Sequence, residues 1–338
     1  MVTIKDVARR ANVSFTTVSH VINSTRPVSA DAAGRVESAI AELGYFPSGV
    51  ARALQSKRTR TIGMIVTTTS NPFFGEVIRG VERAAFKAGY TLMICNTDDV
   101  AQHLVAYMRM LLTNRVDAVL VMTTNASPEF FRRLGQIKRA PVVAIDAPAD
   151  SVSSVFSDDS RQGGEQVGRF LVERGFDRIA VVSGPESHPR MAHRLEGFRM
   201  ALASSGRQLA SENVVRTELT MNGGLDAARK LLGRPGGELP EAVFALSDVL
   251  AIGLMHGLRE AGIKIPEDVS VVGYDDIEMA AHTFPPLTTV RQPAAEIGAA
   301  AANALIDFLD RAVPLPRSVT LRSDLVVRGS VSFGQVGR

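Results

Sequence analysis

The sequence predicts a small all-helical head followed by two doubly wound α/β lobes. Three observations carry this. The first 60 residues contain only apolar stripes of helical period. Beyond residue 60, short continuous apolar runs alternate with amphipathic segments, the pattern of parallel strands covered on both faces. Seven such strand–helix units within 338 residues are too many for one sheet, so two lobes share them.

Composition sets the limits. Apolar residues make up 45% of the chain, enough for several cores. The single cysteine, Cys95, rules out a disulfide framework and predicts a cytoplasmic setting. Met1-Val2-Thr3-Ile4-Lys5-Asp6 does not read as a signal peptide, and no apolar run approaches a membrane span. The net charge of +3 is unevenly placed. Residues 1–60 hold nine Lys/Arg against four Asp/Glu, whereas the rest hold 29 against 31. A polyanion partner at the N-terminal end is the economical explanation.

In the head, Ile4, Val7, Ala8 and Ala11 fall on one helical face, and Asn12-Val13 breaks it. Ser14 is placed to cap a second helix whose inner face is Val18, Val21 and Ile22. A third helix starts near Ser29, buries Ala33, Val36, Ile40 and Leu43, and ends at Gly44. Helix, short turn, helix is the helix-turn-helix unit. The outer face of the second helix shows Phe15, Thr16, Ser19, His20 and Asn23 and no Glu or Lys. Such short polar groups suit base edges in a major groove. Thr3, Thr17 and Arg26 are then placed for phosphates, with Ser14 beside them on the DNA-facing side.

Thr3-Ile4-Lys5-Asp6-Val7-Ala8, Val13-Ser14 and Thr17-Val18-Ser19-His20-Val21-Ile22-Asn23 resemble the head of lactose-repressor family proteins. Pro47-Ser48-Gly49-Val50-Ala51-Arg52-Ala53-Leu54 resembles the hinge helix of that family. The resemblance implies a homodimer on a palindromic double-stranded DNA operator, with Leu54 as an apolar wedge in the minor groove. Gln55 departs from the lysine common there.

In the body, strands are expected at 62–66, 91–95, 118–122, 142–145, 179–182, 243–246 and 269–272. Helices are expected at 74–88, 102–113, 162–173, 190–204, 224–232, 250–261 and 294–309. The segment 288–293 and the last strands would cross back between lobes. The expected domains are a helix-turn-helix unit (1–46), a hinge helix and linker (47–58), one lobe from 59–160 plus 291–318, and another from 161–290 plus 319–338. The family shares this periplasmic-binding-protein architecture. Residues 330–338 are polar and Gly-rich and do not resemble the tetramer tail of some members.

Ligands of open α/β sheets sit outside the carboxyl ends of strands. Asn71, Asp146, Arg194, Asp248 and Asp275 follow strands, and Gln292 lies in a crossover. Carboxylates accept hydroxyl donors, Arg donates in a fork, and Phe73 and Phe74 offer apolar cover. For Asp248, capping the next helix is an equal alternative. Asn71-Pro72-Phe73-Phe74, Asn222-Gly223-Gly224 and Gly273-Tyr274-Asp275-Asp276-Ile277-Glu278 resemble most the ribose operon repressor branch. Three effector positions depart from it. Leu219 stands where an aromatic ring stacks, Ser247 replaces an asparagine, and Ala147 replaces a large residue. The effector is thus ribose, another pentose or hexose, a phosphorylated sugar or a nucleoside, with Leu219 opposing a purine.

No dinucleotide fingerprint, P-loop, nucleophilic triad or metal-spaced cluster is present, and the six histidines are scattered. An enzyme, a metal site and a cofactor are therefore not expected. A transport-type sugar-binding protein suits the lobes but not the basic head.

Overall fold

The structure is a computed structural model that describes residues 2–23, 26–46, 58–68, 70–98, 100–123, 130, 140–147, 152, 154–186, 188–234 and 238–332. The chain divides into two compact units, Met1–Arg60 and Thr61–Arg338.

Among its described residues the head has three helices, α1 (Ile4–Ala11), α2 (Phe15–Asn23) and α3 (Ala30–Leu43). Local chemistry sets their ends. The Asp6 carboxylate accepts from the Thr3 amide (2.9 Å) and the Thr3 hydroxyl (2.7 Å), tying down the start of α1. Asn12, left-handed at φ 51°, ends it. Ser14 Oγ accepts from the Thr17 amide at 3.0 Å, the cap expected for α2. Ser29 caps α3 and Gly44, at φ 58°, closes it. Val7, Ala8, Ala11, Val18, Val36 and Ala39 form the core. The buried stripe of α3 is rotated from the expected one. Ala32, Val36 and Ala39 are buried, and Ala33, Ile40 and Leu43 sit at its rim.

The body has two six-stranded sheets. The first, all parallel, has strands β1 (Thr61–Val66), β2 (Thr91–Asn96), β3 (Ala118–Met122), β4 (Val142–Ile145), β5 (Val155–Asp158) and β11 (Ser318–Leu321), in the order β11-β5-β4-β3-β1-β2. The second has β6 (Ile179–Ser183), β7 (Val214–Arg216), β8 (Ala242–Ala245), β9 (Ser270–Asp275), β10 (Thr288–Arg291) and β12 (Asp324–Val326), in the order β12-β10-β9-β8-β6-β7. Among the described strands only β12 runs antiparallel. All seven expected strands form. The strand at Ser318–Leu321 pairs with Val155–Asp158 in the first sheet. The last crossing therefore falls after residue 321, not at the expected 318.

The covering helices are α4 (Pro72–Lys87), α5 (Ala101–Thr113), α6 (Ser160–Glu173), α7 (Pro189–Ser204), α8 (Met221–Leu232), α9 (Asp248–Glu260) and α10 (Ala294–Arg311). Six of them pack in three pairs through reciprocal glycines. A Cβ on Gly80 would strike the Ala295 carbonyl, and one on Gly298 the Val77 carbonyl. Gly164 and Gly197 do the same for α6 and α7, and Gly224 and Gly253 for α8 and α9. Backbones therefore touch, which fixes where the strand-end loops open. Among the described residues no helix is long and apolar enough to cross a membrane.

Candidate functional site

On the head, Phe15 (45% exposed), Thr16 and Asn23 are open to solvent on α2, and Ser19 and His20 are half-buried. Asn23 Nδ2 donates to the Ser19 carbonyl at 3.0 Å, so its amide is aimed along the helix. The Ser14 and Thr17 hydroxyls bond each other at 2.8 Å, and Thr3 is engaged with Asp6. Arg26 is exposed. Arg9, Arg10 and Arg35 are paired on the surface with Asp6, Glu42 and Asp31, contacts of little stabilising worth that a polyanion could displace. Leu54, Gln55 and the rest of the expected hinge at 47–57 lie outside the described residues.

In the body, eight of the ten expected effector residues meet in one cavity at the carboxyl ends of the strands. They are Asn71, Phe73, Phe74, Asp146, Arg194, Leu219, Ser247 and Asp275. Asn71 Oδ1 accepts from the Phe73 amide at 3.0 Å and so caps α4. Phe73 and Phe74 pack edge to face, 5.6 Å apart, and form an apolar wall. Asp146 ends β4 in a left-handed conformation (φ 61°), and Asp275 and Asp276 end β9 at φ 126° and 56°. Strain of this kind in non-glycine residues persists only where surrounding bonds fix it. Here Arg291 and Arg328 each reach Asp276 at 2.6 Å. Asp275 accepts from Ser247 Oγ (2.7 Å) and Gln292 Nε2 (2.5 Å) and pairs with Arg194 (3.3 Å). Arg194 also donates to the Leu246 carbonyl at 2.5 Å and stacks 3.7 Å above the Tyr274 ring. Leu219 is half-buried on the wall.

Two expected residues are placed otherwise. Gln292 lies behind the wall, holding Asp275 and accepting from Arg190. Asp248 does not reach the cavity. Its carboxylate accepts from the Ile277 amide (2.9 Å) and the Thr289 hydroxyl (2.6 Å), joining α9 to β10 within the second lobe. Burial, with Asp275 next, pushes its carboxyl up to about 7.

Sequence reasoning missed Arg190, His188, Met191, Met122 and Thr123, which also line the cavity. Arg190 carried a signal. It lies four residues before Arg194 and therefore on the same face of α7. Its guanidinium pairs with Asp146 and Asp158. Asp158 in turn accepts from Tyr274 Oη (2.8 Å), Ser160 Oγ (3.1 Å) and Ser323 Oγ (3.2 Å). Burial, then Arg194, pushes Arg190 down to about 9, so it stays charged at neutral pH. Burial, with Arg194 next, pushes His188 down to about 4, so it is neutral there.

Three carboxylates (Asp146, Asp158 and Asp275) thus face two guanidiniums (Arg190 and Arg194), leaving no surplus cation. Yet Asp146 Oδ1, His188 Nδ1, Arg190 Nε and Arg194 Nε are buried without a hydrogen-bond partner among the described residues. Buried polar atoms of this kind cost free energy until a partner arrives. The set offers donors and acceptors around an aromatic wall, which suits a neutral polyhydroxylated molecule. Among the described residues no cluster of metal-ligating side chains occurs.

Residues 3–48 match the family model for bacterial regulatory proteins of the lacI family. Residues 59–325 match the model for periplasmic binding proteins and the sugar-binding domain of the LacI family. The chain is 40% identical to the ribose operon repressor of Escherichia coli (strain K12) over 331 residues, 98% of this chain and 100% of that one. It is 41% identical to the HTH-type transcriptional repressor PurR of Vibrio atlanticus (strain LGP32) over 333 residues, covering 98% and 99%. The lac repressor dimer bound to operator and the anti-inducer ONPF superposes with a TM-score of 0.89 at 25% identity, covering 98% of this chain and 99% of that one.

Proposed function

The chain belongs to the LacI family of bacterial regulatory proteins, and we propose that it acts as a homodimer on a two-fold operator, with a neutral sugar in the body cavity setting its operator affinity. As a member of that family it is a DNA-binding transcriptional repressor with a sugar-binding domain, not an enzyme. D-ribose or a close relative is the sugar. The observation that carries this is the cavity without a surplus cation, with four buried, unpartnered polar atoms beside Phe73 and Phe74. With no surplus cation, an anionic sugar phosphate would be bound against Asp146 and Asp275. With Leu219 where a ring would stack, a purine loses about 0.5–1.5 kcal/mol of aromatic contact. The missing cation and Leu219 favour a neutral polyol, in keeping with the similarity to the ribose operon repressor.

On the head, Phe15, Thr16, Ser19, His20 and Asn23 read bases, and Thr3, Ser14, Thr17 and Arg26 position phosphates. Leu54 and Gln55 contact the minor groove, and the dimer follows from the two-fold symmetry of such sites. The repressor works in the cytoplasm, where its DNA lies. The effector shifts operator affinity only through a difference in its contacts between two body states.

A thermal-shift panel of D-ribose, D-glucose, ribose 5-phosphate and hypoxanthine tests the ligand. D-ribose alone, or with other neutral sugars, should raise Tm. At a hundredfold excess over Kd the stabilisation is about 2.7 kcal/mol. Stabilisation by hypoxanthine or ribose 5-phosphate with none from neutral sugars would overturn the reading.

A further inference from the structure

Arg190 rises from the first turn of Pro189–Ser204, in the second lobe, but its guanidinium is spent on groups elsewhere. It pairs with Asp146 and with Asp158, which follow or end first-sheet strands. It donates to Gln292, in the segment that returns the chain to the first lobe. It also lies 5.5 Å over the ring of Phe73, on a first-lobe helix. Arg190 is only 8% exposed. The enclosed space beside it is about 30 Å³, room for about two waters, and it adjoins a wider cleft of about 720 Å³ at Asn71, Phe74, His188 and Leu219.

We propose that Arg190 is a positioning residue that latches the two lobes together across the cavity before any sugar enters, using the Asp146 contacts that sugar hydroxyls would otherwise take. Its net worth to folding is not the point, since a buried ion pair often does little better than apolar packing. What matters is that Arg190 and its acidic partners lie on two bodies joined by crossovers. The pair exists when the lobes are shut and is lost when they part, so its whole free energy biases that one equilibrium. A sugar that takes both oxygens of Asp146 must then move the guanidinium off Oδ2. Sugar entry is an exchange of partners at Asp146, not a simple closing of empty lobes.

The inference deepens the effector reading but is tested without it. Hydrogen–deuterium exchange is followed by mass spectrometry on the full chain, free of sugar and DNA, for wild type, Arg190→Met and Arg190→Lys. In Arg190→Met the cavity walls at 71–75 and 188–194 should exchange at least about tenfold faster, equivalent to about 1.4 kcal/mol. The strands Ala118–Met122 and Ala242–Ala245 should keep their wild-type rates. Unchanged walls overturn the latch. So does acceleration spread equally over both strands, which would make Arg190 a general support of the fold. If Arg190→Met does not fold, Arg190→Lys carries the test. It keeps the charge but loses the fork that spans Asp146 and Asp158, so its walls should exchange faster than wild type by a smaller factor, and wild-type rates there overturn the latch. Neither outcome bears on whether D-ribose raises Tm.

Discussion

Asp248 and Arg190 show what separates an acid near a cleft from a residue in it. In sequence, Asp248 ends an apolar strand as Asp146 and Asp275 do. Its carboxylate turns inward because Ile277 N–H and Thr289 O–H face it there. Nothing in the strand itself announces those partners. Arg190 was readable from its spacing to Arg194, yet its role depends on Asp158, which ends a strand the apolar pattern left out. Burial of Asp248 has a consequence in pH. Its carboxyl titrates at its ordinary 3.8 in the unfolded chain and at about 7 in the fold. Between those values the folded state holds a proton that the unfolded chain has released. Raising pH through that window therefore works against folding, and the loss is complete above it. In Asp248→Asn the proton is not there to lose. Wild-type Tm should fall relative to the variant between about pH 4 and about pH 7, as melting curves of both would show. Parallel pH profiles would mean that Asp248 stays ionised throughout.

The long helices and central strands were readable because their apolar patterns are strong and their ends are marked by caps. The strands Val155–Asp158 and Val214–Arg216 were not, being short and flanked by polar residues. Met221–Leu232 starts three residues earlier than its pattern suggests, because Gly223-Gly224 reads as a break. In the fold those residues are where α8 and α9 touch, with Gly224 against the Leu250 carbonyl. The same close approach governs α6 and α7, the helix that carries Arg190 and Arg194. Gly197→Ala gains up to about 1 kcal/mol of helix propensity but drives a methyl into the Arg161 carbonyl. Overpacking of that kind costs about 1–3 kcal/mol or more, so the net effect should be destabilising, read by urea denaturation. A variant as stable as wild type would show that α6 and α7 can separate freely.

Across the molecule, positive charge and groove-suited side chains sit in one compact unit, and a sugar-suited cavity sits in another. The order of head, first lobe and second lobe was readable from the change of apolar period near residue 60. The strand exchange after residue 321 was not, because it depends on which sheet offers Ser318–Leu321 a partner. Function requires the two units to be coupled, so that a ligand of the body changes what the head does on DNA. The direct measurement selects duplexes from a random library with the full-length protein. It then titrates the best one by fluorescence anisotropy, with and without D-ribose. Selection should return a palindrome, and saturating D-ribose should shift Kd by a factor of about 5–150. Binding without sequence preference, or a selected palindrome whose Kd is the same with and without D-ribose, would contradict it.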